Sequence, residues 1–415
     1  MEYIPIEILW YIYDYLDLLD QLRVSKTCKY LNKSLSLTDL LNIPVGSKLT
    51  DAFLQKHPYV TKLNVISNPH ISILKHLTRL RILYASNDSM NSQKCSIDDK
   101  CLEKLNLFKL NANFNPNICD VSHMKNLNTL YADCNPISPD YSCGILNCDK
   151  LDLTELSINH NEKIKYIGHL KHLKILSASN IFTPAIYKCG INNDSLQPLN
   201  LTKLYIDNNL TLIQIEHMTN LKVLSIAGTC AIRDEHLKGL DLHELYAANN
   251  NHITDIKHLI NLQILDISGN CGIGDDSLEK LYLTKLIACG NARIQNINHM
   301  FTLQILDASN MCRISDENIA ELDLVELYMT NNTNITKIDH MLNLIKLVAN
   351  NDCQISINNL VSIEELSIIN NHHINDINHM VNLKKLVVSV GFRISMQKLQ
   401  LVHFKTINDI MIYRK

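Results

Sequence analysis

Apolar and polar positions follow one short period along most of this chain. From Val60 onward, segment after segment begins apolar-x-x-apolar-x-apolar, as in Leu242–Leu245–Ala247 and Leu283–Leu286–Ala288. Such alternation marks a short strand with one buried face. A second apolar group, such as Ile253, Ile256 and Leu259, returns the chain to the next start. The segments pair as a member of about 20 residues and a longer one of about 21, and self-similarity of that kind identifies repeat architectures. Short members begin at Val60, Leu107, Leu153, Leu201, Leu242, Leu283, Leu324 and Ile363. Long members begin at Leu80, Leu127, Leu173, Leu221, Leu262, Leu303, Leu344 and Leu383, the first three with insertions and the last decaying after its first half. The pattern predicts a stack of about 16 strand-and-return coils, an α/β repeat solenoid.

Position nine of every short member is Asn: Asn68, Asn115, Asn161, Asn209, Asn250, Asn291, Asn332 and Asn371. Its amide both donates and accepts, so a column of them can satisfy backbone groups leaving the strand that would otherwise be buried unpaired. The motif L-x-x-L-x-L-x-x-N/C is that of a leucine-rich repeat, and the predicted fold is a leucine-rich-repeat horseshoe or arc. The short members resemble phosphatase-regulator and internalin-type repeats. The long ones resemble the cysteine-containing repeats of F-box proteins, with Cys230, Cys271, Cys312 and Cys353 recurring every 41 residues. Asp234, Asp275 and Asp316 then precede an apolar residue by three positions, which suits a carboxylate capping the free N–H groups of a short return helix.

Residues before Val60 lack this period. Ile8, Leu9, Ile12 and Leu16 share one helical face, with Pro5 as a helix-start residue. A second helical segment runs from about Asp20 to Leu31, as its apolar spacing implies. So small a unit needs a partner or the adjoining solenoid to complete its core. Its exposed apolar face reads equally as a protein-binding surface and as an end-cap.

The string IPIEILWYIYDYLDLLDQLRVSKTCKYLNK resembles an F-box. Its opening matches with Ile4, Pro5, Glu7, Ile8 and Leu9, its middle with Ile12, Leu16 and Asp17, and its end with Leu22, Cys28, Lys29 and Tyr30. Ile4 stands for the commoner Leu, and Tyr30 where Trp is frequent. With the solenoid, the chain resembles an F-box/leucine-rich-repeat protein, and its Asn-, Ile- and Tyr-rich composition resembles those of giant DNA viruses. The resemblance implies a non-catalytic substrate-recognition subunit of a Skp–cullin–F-box ubiquitin ligase. Ile4, Pro5, Ile8, Leu9, Ile12, Leu16, Leu22, Cys28 and Tyr30 would meet a Skp-type adaptor, and the solenoid would hold a target protein. The expected organisation is an F-box over 1–46, a linker or N-terminal cap over 47–59, a solenoid over 60–395 and a C-terminal cap over 396–415. The alternative is a repeat scaffold with no ubiquitin role, capped by its N-terminal helices.

Composition narrows the classes further. With 46% hydrophobic residues the chain can build a large core. A net charge of −3 from 39 basic and 42 acidic residues gives no footprint for nucleic acid or an anionic membrane. The N-terminus lacks the character of a signal peptide, and no apolar run is long enough to span a bilayer. The 13 cysteines include no CxxC pair and fit a reducing compartment. An intracellular location is expected, cytoplasm or nucleus, or host cytoplasm for a viral protein. No cofactor is expected.

A histidine column (His76, His123, His169, His217, His258, His299, His340 and His379) invites a metal reading. Alternate coils lie about 10 Å apart, too far for two side chains to share an ion with bonds of about 2 Å. The expected role is a ring nitrogen bonded to a backbone carbonyl, and the same spacing makes the Cys230 series buried thiols. Cys134, Cys143 and Cys148 read as a cluster inside an insertion, without zinc spacing. The better site is the concave sheet face, where position five carries Tyr84, Tyr131, Tyr205, Tyr246 and Tyr328 with Asp266 and Asp307. Charged Lys203, Glu244, Lys285 and Glu326 alternate beside them with apolar residues, a mixture suited to binding a protein.

Overall fold

The computed structural model describes residues 8–9, 12, 16, 18–27, 31, 37–43, 49–88, 93–181, 188–351, 353–391, 394–396, 399, 401–407 and 410–414. The chain divides into two compact units, Met1–His217 and Met218–Lys415.

In the first unit, helix α1 (Leu18–Thr27) precedes eight parallel strands: β1 (Asp39–Leu40), β2 (Lys62–Asn64), β3 (Ile82–Tyr84), β4 (Lys109–Asn111), β5 (Thr129–Tyr131), β6 (Glu155–Ser157), β7 (Ile175–Ser177) and β8 (Lys203–Tyr205). Each pairs with the next in sequence. The central residues form one column, Leu40, Leu63, Leu83, Leu110, Leu130, Leu156, Leu176 and Leu204. All eight leucines are buried. A one-residue slip would turn that column out to solvent, so the apolar pattern fixes the register. β1 adds a strand ahead of the first repeat legible in the sequence.

The second unit continues the same rule with β9 (Val223–Ser225), β10 (Glu244–Tyr246), β11 (Ile264–Asp266), β12 (Lys285–Ile287), β13 (Ile305–Asp307), β14 (Glu326–Tyr328), β15 (Lys346–Val348), β16 (Glu365–Ser367) and β17 (Lys385–Ser389). An antiparallel hairpin, β18 (Val402–Ile407) and β19 (Ile410–Arg414), follows, and β19 pairs with β17. The last parallel strand thus has its backbone groups paired instead of left as an open edge.

The turn after each strand reverses sharply. Position eight of every short coil has positive φ: Ser67, Phe114, His160, Asn208, Asn249, Gly290, Asn331 and Asn370, between 51° and 68°. Gly228, Gly269, Asn310 and Asn351 do the same in long coils without insertions. Asn and Gly adopt this left-handed conformation at least cost. Six asparagines outside the ladder, Asn208, Asn249, Asn310, Asn331, Asn351 and Asn370, therefore have a backbone cause.

Return segments are short: α2 (Asp51–Gln55), α3 (Asp99–Leu102), α4 (Asn193–Leu196), α5 (Asp234–Leu237) and α6 (Asp316–Ile319). The expectation that Asp234, Asp275 and Asp316 cap their own helices is corrected. Each stands at the first helical residue and accepts instead from the following short coil: Thr254 N at 2.8 Å, Gln295 N at 2.9 Å and Thr336 N at 2.6 Å. The capping position is one residue earlier, where Asp98 and Asn192 accept from Cys101 N and Ser195 N.

Candidate functional site

At the head of the chain Ile8, Leu9 and Ile12 have helical backbone. Ile8 and Ile12 are exposed, and Leu9 and Leu16 are half-buried. Leu22 lies within α1, while Ile4, Pro5, Cys28 and Tyr30 lie outside the described residues. Gln21, wholly buried, ties the helix to the sheet. Its Nε2 donates to Thr38 Oγ1 and to the Leu16 carbonyl, each at 3.2 Å, and its Oε1 accepts from Thr38 N at 3.4 Å. The Thr38 carbonyl in turn accepts from Thr61 N and Lys62 N, the entry to β2. The head therefore joins the first strands through buried polar contacts.

On the strand face each candidate residue ends its strand and is half-buried. Register sets their neighbours. Tyr84 and Tyr131 flank Asn111, whereas Ser157 and Ser177 stand between Tyr131 and Tyr205. Tyr246 adjoins Asp266, Asp307 adjoins Tyr328, and Ile287 separates the two pairs. The tyrosines do not form a continuous aromatic strip. Three hydroxyls donate to carboxylates beside them: Tyr131 to Glu155 at 2.8 Å, Tyr246 to Glu244 at 2.8 Å and Tyr328 to Glu326 at 2.7 Å. Lys109 donates to the Tyr131 hydroxyl at 2.9 Å and lies 4.6 Å from its ring centroid; Lys346 lies 5.1 Å from that of Tyr328. Burial, with the Glu155 bond, pushes the Tyr131 phenol well above its ordinary range, so its proton stays on the hydroxyl. Asp266 and Asp307 accept from the backbone N–H of Ser268 and Ser309, which orders the turns after their strands. Val223, the apolar residue at position three of its coil, is buried.

A polar row that the sequence pattern did not single out lies two positions further along. Asp133 accepts from Ser157 Oγ at 2.7 Å, Asn159 N at 2.8 Å and Asn113 Nδ2 at 3.1 Å. Asn159 repeats the device one coil on, accepting from Ser179 N at 2.8 Å. Burial holds the Asp133 carboxyl above the usual range despite those donors.

Below this face the ladder asparagines are all buried. Each donates from Nδ2 to a carbonyl of the preceding coil: Asn68 to Leu49, Asn115 to Ala85, Asn161 to Ala132, Asn209 to Ala178, Asn250 to Ile226, Asn291 to Ile267, Asn332 to Ala308 and Asn371 to Ala349. Seven of the column histidines place Nε2 against a carbonyl of the preceding coil, 2.8–3.2 Å away. His76 Nε2, the eighth, is buried without a bond among the described residues.

The cysteine column is longer than the sequence suggests. Cys95, Cys143 and Cys189 occupy the same corner as Cys230, Cys271, Cys312 and Cys353. The residue after Cys95, Cys143, Cys189 or Cys271 donates its N–H to the carbonyl of the ladder Asn one coil earlier. Reading Cys134, Cys143 and Cys148 as one cluster is thereby corrected. Cys143 belongs to the column, and Cys134 closes an insertion by accepting from Cys143 N at 3.3 Å. Asn87 and Asn180 close the other two insertions by accepting from Cys95 N and Cys189 N. The signal available in the sequence was Cys-x-Ile, displaced by insertions of unequal length. Among the described residues no three His, Cys, Asp or Glu side chains are grouped to hold a metal ion.

Residues 2–42 match the F-box domain family. No curated protein matches the chain. Among solved structures it is similar to an internalin of Listeria monocytogenes str. 4b F2365, at 21% identity over 75% of this chain and 88% of that one, TM-score 0.41. A leucine-rich-repeat protein of Leptospira interrogans aligns at 18% identity over 93% and 86%, TM-score 0.31. The yeast Rad7 and Elc1 complex aligns at 12% identity over 75% and 81%, TM-score 0.38. Likeness at that level carries no argument, and the solenoid is defined by its own register and ladders. The chain joins an N-terminal F-box domain to a leucine-rich-repeat solenoid, the architecture of an F-box/leucine-rich-repeat protein.

Proposed function

We propose that this chain is the substrate-recognition subunit of a Skp–cullin–F-box ubiquitin ligase and performs no bond chemistry itself. The observation that carries the reading is the F-box match at residues 2–42, ending where the parallel sheet begins at Asp39–Leu40. Ile8 and Ile12 offer adaptor-facing apolar surface beside the half-buried Leu9 and Leu16, and Pro5, outside the described residues, is assigned to the same contact by the F-box motif alone. The strand faces, with Tyr84, Tyr131 and Tyr205 in the first unit and Tyr246 and Tyr328 in the second, are the target-binding surfaces in this reading. The contribution to reaction rate is then proximity: a target lysine is kept at high effective concentration near a ubiquitin-charged enzyme supplied by the partners.

Co-expression with a Skp-type adaptor tests this. Wild type should co-elute with the adaptor in a stoichiometric complex, and an Ile8→Glu/Ile12→Glu variant should not. Absence of a complex with well-folded wild type ends the ligase reading.

The Gln21–Thr38 contacts favour a second reading, in which the head is an end-cap of a protein-binding scaffold with no ubiquitin role. In that case the adaptor stays unbound while removal of the head destabilises the first coils.

A further inference from the structure

In a three-residue strand the two end residues point to one side while the middle one, here a buried leucine, points to the other. Across β10 to β14 the ends read Glu244–Tyr246, Ile264–Asp266, Lys285–Ile287, Ile305–Asp307 and Glu326–Tyr328. All ten of these side chains are half-buried. Four are carboxylates and one is a lysine, whereas the same positions of β2 to β8 hold Lys62, Lys109 and Lys203 against Glu155. The middle of the second unit is therefore an acidic face set with isoleucines.

Further along, the charges neutralise one another. Lys346 lies 4.0 Å from Glu326 and 3.9 Å from Glu365, and Lys385 lies 3.3 Å from Glu365. Asp266 and Asp307 differ. Each spends Oδ1 on its own turn, accepting from Ser268 N at 2.9 Å and Ser309 N at 3.0 Å. Among the described residues neither has an ion-pair partner, and neither does Lys285.

Register places Ile287 directly between Asp266 and Asp307. That row reads carboxylate, apolar, carboxylate, with the two carboxylate-bearing strands about 10 Å apart. No third ligand accompanies the pair for a metal ion among the described residues, and the excess of negative charge repels nucleic acid. Side chains seven apart on one helix face are separated by about 10.5 Å, and a residue three or four along falls between them.

We infer that β10 to β14 dock a basic helical segment of the target. Two Lys or Arg seven residues apart pair with Asp266 and Asp307, and an apolar residue between them rests on Ile287, flanked by Ile264 and Ile305. Helix recognition of this type draws affinity from apolar contact, and charge fixes the orientation. Lys285 opposes such a segment and limits its affinity. The inference rests on the strand face being the target-binding surface and needs no adaptor.

The probe is a designed helical peptide of about 16 residues, with two lysines seven apart and leucines between them, titrated into the full chain by fluorescence anisotropy. Asp266→Asn/Asp307→Asn keeps an oxygen to accept from each turn and removes both charges. Affinity should fall about tenfold or more in that variant. It should rise in Lys285→Met and stay unchanged in Glu155→Gln on the first unit, with circular dichroism like wild type throughout. The proposal is overturned by absence of binding, by unchanged affinity in Asp266→Asn/Asp307→Asn, or by weaker binding in Lys285→Met. Equal affinity for a peptide with glutamates in place of lysines, or with its lysines four apart, overturns it too. So does self-association in sedimentation that Asp266→Asn/Asp307→Asn abolishes, which would make the occupant a second copy. Adaptor capture is a separate readout: its failure ends the ligase reading and leaves this titration unaffected, and the converse also holds.

Discussion

Asn332 donates from Nδ2 to the carbonyl of Ala308, 2.7 Å away and one coil earlier, while its Oδ1 accepts from its own turn, Asn334 N at 2.8 Å. One buried amide thus closes a turn and joins two coils. Asn332→Ala leaves the Ala308 carbonyl and the Ile335 N–H, both of buried residues, without a side-chain partner. Each orphaned buried group costs about 1–3 kcal/mol, so a loss of roughly 3 kcal/mol is expected in urea denaturation. Asn332→Asp should cost at least as much, because it faces a carbonyl with a carboxylate. A loss below about 1 kcal/mol for both would show that the ladder is dispensable.

The buried thiols make stability sensitive to alkali. Burial pushes Cys271 and Cys312 up to about 11; an unfolded thiol ionises near 8.5. Below that value both states are protonated and the thiols add no pH dependence. Between about 8.5 and 11 the unfolded chain releases protons that the folded chain retains, so stability falls as pH rises. The limiting slope is about 1.4 kcal/mol per pH unit for each thiol. The urea midpoint should drop between pH 8 and pH 10.5, and less steeply in Cys271→Ala/Cys312→Ala, whose pH 7 value is already lower. An unchanged slope in that variant removes the thiols as the cause.

Gly290 has φ +68°, and an added Cβ would make only ordinary contacts. Substitution there measures backbone strain almost alone. Gly290→Ala is expected to cost about 1 kcal/mol. Gly290→Asn should cost less, since Asn208, Asn249, Asn331 and Asn370 hold the same turn position. The reverse order of the two in thermal denaturation would refute the left-handed constraint.

Gln21 is the buried polar joint between the head and the first strand. Gln21→Leu keeps the volume and removes three hydrogen bonds, leaving Thr38 N–H with no side-chain acceptor. Limited proteolysis should then cleave before Asp39 sooner than in wild type, with the remaining coils intact. Equal cleavage rates would place the joint elsewhere.

The repeat was legible because its two stripes and the Asn column recur too regularly for chance. Strand positions, the leucine column and the carbonyl-bound histidines could be anticipated from residues such as Leu265, Asn250 and His258. Other features were hidden for definite reasons. Cys95, Cys143 and Cys189 were out of phase because each insertion is pinched off by their own N–H donating to Asn87, Cys134 or Asn180, which no spacing rule conveys. Asp316 was misassigned because sequence places it at a helix start but not against Thr336 of the next coil. β1 was missed because two residues carry no period.

By itself, the sequence determined the solenoid and its coil starts from Val60 onward, which follow from apolar periodicity, while the F-box at its head rested on resemblance to a family motif. Only the tertiary structure decided which groups meet, such as Tyr131 with Glu155 and Gln21 with Thr38. Such contacts join residues one or more coils apart. Strand register and the turn conformations, set by many cooperating side chains, decide them, and no single segment encodes either.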